Sequence, residues 1–450
     1  MTAQKKDMDM INGSLWNKIL IFAIPIAVSA LMQQLFHSAD MAVIGQFAGK
    51  NELAAVGSNN SIINLLINIF MGFSAGSNVV IAQFIGAGKT DLAKKSVATS
   101  LVIAAASGII VMLLGVSFSR LLLELISSPP EIIDLATLYL RLYFLGTPFI
   151  MLYNFSAAIL RSRGETTKPF FCLLAGGIVN VILNLIFVIY FRWSVAGVAV
   201  ATTVSNILSS FLILRILLTD KGELGITLKD IKPDKSIIRK IVKIGLPMGI
   251  QSALFPLSNL VVQSAINSLG TVYVAASAAA LAIETYSYSI MTGFVQAIVS
   301  FVSQNFGAGK IDRCRKSLRL GITFNIIISN VFNIIMLICA DKVIGLFTTD
   351  PQVALYTKER LIFMYAILWS CIFMDSTTNA LRGMGYSIFP TVVSVAGVCG
   401  FRIIWIYTAF RYFGTFISIL AVYPISWVIT SIPLLIFYFI EIKKLQKQTL

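Results

Sequence analysis

The chain has 450 residues, 57% hydrophobic and only 12% charged, with a formal net charge of +15. That is more apolar side chain than a water-soluble interior can hide, so a soluble enzyme is excluded and lipid is the expected solvent. One histidine and five cysteines scattered over apolar helices and a loop exclude a zinc-type cluster and a disulfide framework as organising features.

Apolar stretches long enough to cross the ~30 Å hydrocarbon core as helices recur at about 19–44, 53–84, 97–119, 135–159, 170–191, 195–218, 244–267, 273–304, 318–340, 354–380, 388–410 and 414–440. They predict an all-α membrane protein of twelve transmembrane helices. The first is too long for a signal-peptide core and lacks a small-residue cleavage site, so it is expected to remain as a helix. It carries Pro25, whose missing N–H loosens the backbone and marks a hinge. Ser29, Gln33, His37 and Asp40 follow at spacings of four, four and three, on one helix face. Asp40 is either a carboxylate inside the membrane or the exposed end of this helix. His37 either titrates near neutral pH or is a hydrogen-bonded packing residue.

The second helix ends in Gly86-Ala87-Gly88-Lys89. A nucleotide-binding loop needs a longer spacing and a preceding strand, so this is read as a sharp turn with a lysine anchor. On the fifth helix Asn180 and Asn184 lie one turn apart, and on the sixth Thr202 and Asn206 do the same. With Asp40 they offer the hard oxygen ligands that sodium or a proton relay needs. The competing reading is interhelical hydrogen bonding, which membrane bundles use routinely. In the second half, Glu284 stands one turn before Tyr288, and Asp375 lies beside Ser376 with Asn379 one turn on. Of 20 acidic residues, only Asp40, Glu284 and Asp375 are embedded in apolar helix, and ionised groups there mark functional pathways by default.

Displaced by 221 positions, the chain matches itself: Gly72-Phe73 meets Gly293-Phe294, Gly86-Ala87-Gly88-Lys89 meets Gly307-Ala308-Gly309-Lys310, Leu160-Arg161 meets Leu381-Arg382, and Pro169 meets Pro390. Six helices per half make this a parallel repeat. It divides the chain into lobes at 1–218 and 244–450, joined by a charged linker at 219–243. The three acids are not repeated: Asp40 aligns with Val261, Glu284 with Ile63 and Asp375 with Asn154. Lysine and arginine follow a topology. Lys5, Lys6, Lys18, the Lys89–Lys95 and Arg161–Lys168 groups, the linker, the Lys310–Arg319 group and Lys443, Lys444 and Lys447 fall on one side. Lys50, Arg120, Arg192, Lys342 and Arg411 fall on the other. Retention of cations inside then puts both termini and the linker in the cytoplasm, in a cytoplasmic membrane. The positive balance therefore reports topology and attraction to anionic lipid, and no nucleic-acid partner is expected.

The Ser-Ala-Asp40-Met-Ala-Val-Ile-Gly segment with Pro25, the run Ala82-Gln83-Phe84-Ile85-Gly86-Ala87-Gly88, its echo Ser303–Gly309 and the paired Leu-Arg-x-x-Gly motifs resemble the multidrug and toxic compound extrusion (MATE) family over essentially the whole chain. The resemblance implies two six-helix lobes and a secondary antiporter that exports organic, often cationic, compounds in exchange for H+ or Na+. It further implies a coupling site at Asp40, Asn180, Asn184 and Thr202, with Glu284 and Asp375 as additional cation-coupling acids in the second lobe. At Asn184 the family pattern has an aspartate, so one negative charge is missing and tight sodium binding is in doubt. Tyr139 matches a tyrosine beside the first-lobe site and joins Gln33, His37 and Tyr288 on the expected substrate cavity.

No cofactor is implied beyond the coupling ion, no metal beyond sodium at those residues, and a monomer in lipid is expected. Two other classes of membrane protein make different demands on the sequence. A lipid-linked oligosaccharide flippase needs a cavity lined by arginine and lysine, and Arg402 is the one basic residue placed deep in a helix. A membrane prenyl transferase needs clustered aspartates for magnesium and diphosphate, and the sequence has none.

Overall fold

The computed structural model describes residues 8–222 and 224–449. Lys5 and Lys6, used in the topology argument, lie outside the described residues. Among the described residues, twelve long helices stand where the hydropathy places them: α1 Leu15–Phe47, α2 Lys50–Gly86, α3 Thr90–Leu125, α4 as the pair Ile133–Leu145 and Thr147–Ser162, α5 Thr167–Tyr190 and α6 Ser194–Leu218. They continue as α7 Lys235–Ser268, α8 Thr271–Gly307, α9 Ile311–Ile338, α10 Pro351–Gly383, α11 Ile388–Phe413 and α12 Phe416–Gln448. Ten are long and apolar enough to cross a membrane, and α4, bent by 45° at Gly146, makes eleven. The remaining one, α8, is 37 residues long but carries Glu284, Thr285, Ser287 and Ser289 through its middle. Those polar groups are tolerable because α8 is buried along much of its length, from Ala276 to Asn305.

The chain folds as two compact units. One holds residues 31–253 with the adjoining Met8 and Asp9, and the other holds 10–30 and 254–449. This differs from the sequence halves at two helices: the opening part of α1 belongs with the second half, and the opening part of α7 with the first. Glycines explain how each is accommodated. In the first unit, Gly72 and Gly76 of α2 cross Gly245 and Gly249 of α7 backbone to backbone. A Cβ on Gly76 would stand 2.7 Å from the Ile241 carbonyl oxygen, and one on Gly72 would collide with Gly245 and Gly249. In the second unit Gly293, the repeat partner of Gly72, meets α1 in the same way, with an added Cβ 2.6 Å from Ala27. Small residues let membrane helices approach this closely, trading side-chain bulk for extended van der Waals contact.

The repeat is also visible in the turns. Gly88 and Gly309 have φ of +68° and +70°, and Gly164 and Gly385 have +95° and +93°. These left-handed conformations end helices, and any Cβ would strain them. At α10 the start is set by Asp350, whose carboxylate accepts from Gln352 N at 2.8 Å and Val353 N at 3.3 Å while Pro351 opens the first turn.

The first unit's interior packs Leu140, Phe144, Met151 and Phe155 against Val56 and Ile44. The second packs Met291, Ile298, Leu368, Trp427 and Tyr438. Phe171, Phe211, Leu260, Ile404 and Ile436 point outward and exposed, as lipid-facing side chains do.

The helix α7 begins at Lys235 rather than 244. Asp234 caps it, its carboxylate accepting from Ser236 N and Ile237 N at 2.9 and 3.1 Å. Ile237, Ile241 and Ile244 are buried while Lys235, Arg239, Lys240 and Lys243 stay exposed. This turn-by-turn amphipathic extension is invisible to hydropathy averaging, which sees only the charges.

Candidate functional site

In the first unit α1 runs to Phe47, two turns past Asp40, so Asp40 is within the helix and not at its end. The buried Asn184, 1% exposed, donates its amide to Asp40 Oδ1 and also to Asn180 Oδ1 at 3.3 Å. Asn180 Nδ2 in turn donates to Thr202 Oγ1 at 3.3 Å. Three helices, α1, α5 and α6, thus share one hydrogen-bonded chain ending at a carboxylate. The carbonyl oxygen of Asn184 is buried without a hydrogen-bond donor among the described residues, leaving an acceptor beside Asp40. Directly after this turn α5 widens into a π-helical turn, Ile186–Tyr190, a device that often sits at functional positions.

Tyr139 and Tyr143 of α4 stack with ring centroids 6.1 Å apart. Gln33 and His37 are exposed, and neither hydrogen-bonds to Asp40, Asn180 or Asn184. Asn206 takes no part in the chain. The helix α1 continues through Pro25, and Ser29 Oγ donates to the Pro25 carbonyl at 2.7 Å. Proline and a serine bonding back to it both weaken the regular ladder at this turn.

The second unit holds a cavity of about 350 Å³. Its walls bring together Glu284 and Tyr288 of α8, Arg360 and Asp375 of α10, Arg402 of α11 and Tyr423 and Trp427 of α12. Glu284, expected as a cation-coupling acid, carries a counter-charge of its own: Arg360 donates from Nε to Oε1 at 2.9 Å and from Nη2 to Oε2 at 3.1 Å. A fork-to-fork pair of this kind satisfies both ions. Asp375 accepts from the Cys371 thiol at 3.9 Å. Asn379 donates to the Asp375 backbone carbonyl, not its carboxylate.

Arg360 was missed in the sequence because it stands only six positions into its predicted span, where an arginine reads as an interfacial anchor. The repeat held the signal. At the 221-residue offset Arg360 aligns with Tyr139 and Tyr423 with Thr202. The same register therefore places a polar site in each half with different chemistry.

The MatE family model matches residues 25–186 and again 247–408, so the family's pattern occurs once in each half. The chain belongs to the MatE family. Among MatE relatives, the probable multidrug resistance protein YoeA of Bacillus subtilis (strain 168) is 27% identical over 442 residues, covering 95% of this chain and 94% of that protein. The multidrug export protein MepA of Staphylococcus aureus (strain NCTC 8325 / PS 47) is 22% identical over 383 residues, 83% of each chain. A multidrug resistance MATE family transporter of the MOP superfamily, solved in an outward-facing conformation, superposes with a TM-score of 0.91 at 22% identity, covering 98% of this chain and all of that one. This MatE chain is accordingly a multi-span membrane protein with the two-lobe, twelve-helix fold.

Proposed function

We propose that this MatE protein is a secondary exporter of organic, drug-like compounds, coupled to proton entry through Asp40. The observation that carries the reading is the continuous chain Asp40–Asn184–Asn180–Thr202 across α1, α5 and α6. The names of its relatives, a probable multidrug resistance protein and a multidrug export protein, agree with the transported class.

Protonation removes the charge to which the Asn184 amide and a cationic substrate both respond. One site thus exchanges one for the other, and the Pro25–Ser29 turn of α1 is where backbone change costs least. Sodium suits the site less well, because Asn184 and Asn180 contribute no negative charge to share with Asp40. In the second unit Asp375 is the acid available to a cation, since Glu284 is already bound by Arg360. With the termini and linker in the cytoplasm, export runs outward across the cell membrane. The flippase alternative has less support: Arg360 is neutralised by Glu284, leaving Arg402 alone against a diphosphate.

The test is efflux of a cationic dye from proteoliposomes with proton and sodium gradients imposed separately. The wild type should respond to the proton gradient, and Asp40→Asn should abolish the response while the protein stays folded in the membrane. Proton-driven export retained by Asp40→Asn would sink the proposal.

A further inference from the structure

We infer that the second-unit cavity is a binding site for small organic anions, aromatic carboxylates in particular, with Arg402 as the receiving cation. The inference goes beyond the export reading above and does not depend on Asp40. Four charged side chains line the cavity: Glu284, Arg360, Asp375 and Arg402. Glu284 and Arg360 form a closed pair, and Asp375 holds the Cys371 thiol at 3.9 Å. Arg402 is 4% exposed, yet its partners carry no charge. Nη1 donates to Asn259 Oδ1 at 2.7 Å, Nε donates to Ser426 Oγ at 3.4 Å, and the guanidinium lies 4.5 Å from the centroid of the Tyr423 ring.

No carboxylate among the described residues comes within ion-pairing distance of Arg402. A guanidinium buried in a membrane protein is expensive without a counter-charge. Asparagine, serine and an aromatic face orient it without neutralising it, which leaves its charge for a ligand. A planar fork of donors matches a carboxylate in two-point geometry.

The rest of the wall defines the ligand's body. Tyr423 and Trp427 offer aromatic faces, and Met291 and Met374 offer soft apolar surface that adapts to flat rings. A volume of about 350 Å³ lies in the range of small-molecule sites and excludes the acyl chains of a phospholipid.

The test is equilibrium binding of 1-naphthoate, neutral 1-naphthylmethanol and cationic 1-naphthylmethylammonium to the full chain in phosphatidylcholine nanodiscs. The naphthoate should bind about tenfold or more tightly than the alcohol, the order expected for a charge-assisted pair. Arg402→Gln should erase that preference. Should that variant fail to fold, Asn259→Asp keeps Arg402 and places a carboxylate on it at the existing contact, and it too should erase the preference while alcohol binding persists. Equal binding of naphthoate and alcohol, preference for the ammonium, or an unchanged preference in Asn259→Asp would overturn the assignment. Replacing phosphatidylcholine with phosphatidylglycerol should leave naphthoate binding intact, and its loss would assign Arg402 to a lipid headgroup instead. Binding is read without a gradient, so its failure leaves proton-coupled export standing, and failure of the Asp40 test leaves this site standing.

Discussion

Arg360 and Glu284 hold each other through two hydrogen bonds with both side chains 3% exposed. Removing one partner strands the other as a buried charge, which costs about 3–5 kcal/mol. Glu284→Gln and Arg360→Met are each expected to lower the melting temperature of the detergent-purified protein markedly. The double variant Glu284→Leu/Arg360→Met should recover much of the loss, because a packed apolar pair leaves no ion behind. Melting of both single variants at the wild-type temperature would show that the pair is not a structural element.

The first-unit site makes a complementary prediction. Asn184 donates to Asp40, and its side-chain carbonyl oxygen has no donor among the described residues. Asn184→Asp would add a second carboxylate where a monovalent cation could share both. Sodium chloride, compared with potassium chloride, should then raise the melting temperature of Asn184→Asp and leave the wild type nearly unmoved, since a ligand stabilises only the fold that binds it. A wild type that sodium stabilises as strongly as the variant would show that the missing charge does not set ion preference.

Twelve spans, their order and the repeat were legible in the sequence because apolar length and a fixed offset survive without knowledge of packing. The Asn180–Asn184 and Thr202 positions were legible for a similar reason, as polar residues at one-turn spacing in apolar helices. Other features depend on tertiary partners. Nothing in the local pattern around Arg360 distinguishes an interfacial arginine from one buried against Glu284, and nothing around Gln33 and His37 shows that they miss the Asp40 chain. The assignment of residues 10–30 and 235–253 to opposite compact units was hidden too, since Gly72 and Gly245 signal a close crossing only once they face each other.

That crossing can be tested directly. Gly245 lies against Gly72 and Phe73, where an added Cβ would stand 2.7 Å from the Gly72 carbonyl oxygen. Gly245→Val should force α2 and α7 apart and destabilise the protein by about 1–3 kcal/mol or more, the usual cost of overpacking. Gly88→Ala is the control, because its Cβ would meet nothing within 4 Å and its cost is confined to the left-handed φ of +68°. Membrane yield and melting temperature of the two variants should rank Gly245→Val well below Gly88→Ala, and the reverse order would show that the helices do not depend on this contact.

The linker offers a pH test away from the membrane helices. Asp220, just past α6, accepts from Gly222 N at 3.0 Å and pairs with Arg163 at the end of α4. Burial alone would push its carboxyl upward, but the Gly222 N–H, the Arg163 guanidinium and the charge of Lys168 outweigh that and hold it below the usual carboxylate range. A depressed acid contributes its stability above its unfolded value of about 3.9 and loses it as pH falls through the folded value. Asp220→Asn should therefore melt below the wild type at pH 7 and at pH 5, by no more than about 1 kcal/mol for a partly exposed pair. At a pH below the unfolded value of about 3.9 the difference should shrink, because the wild-type carboxylate is then being protonated and the variant has none to lose. A difference that persists undiminished at that pH would mean that Asp220 acts through side-chain shape or neutral hydrogen bonding and not through its charge.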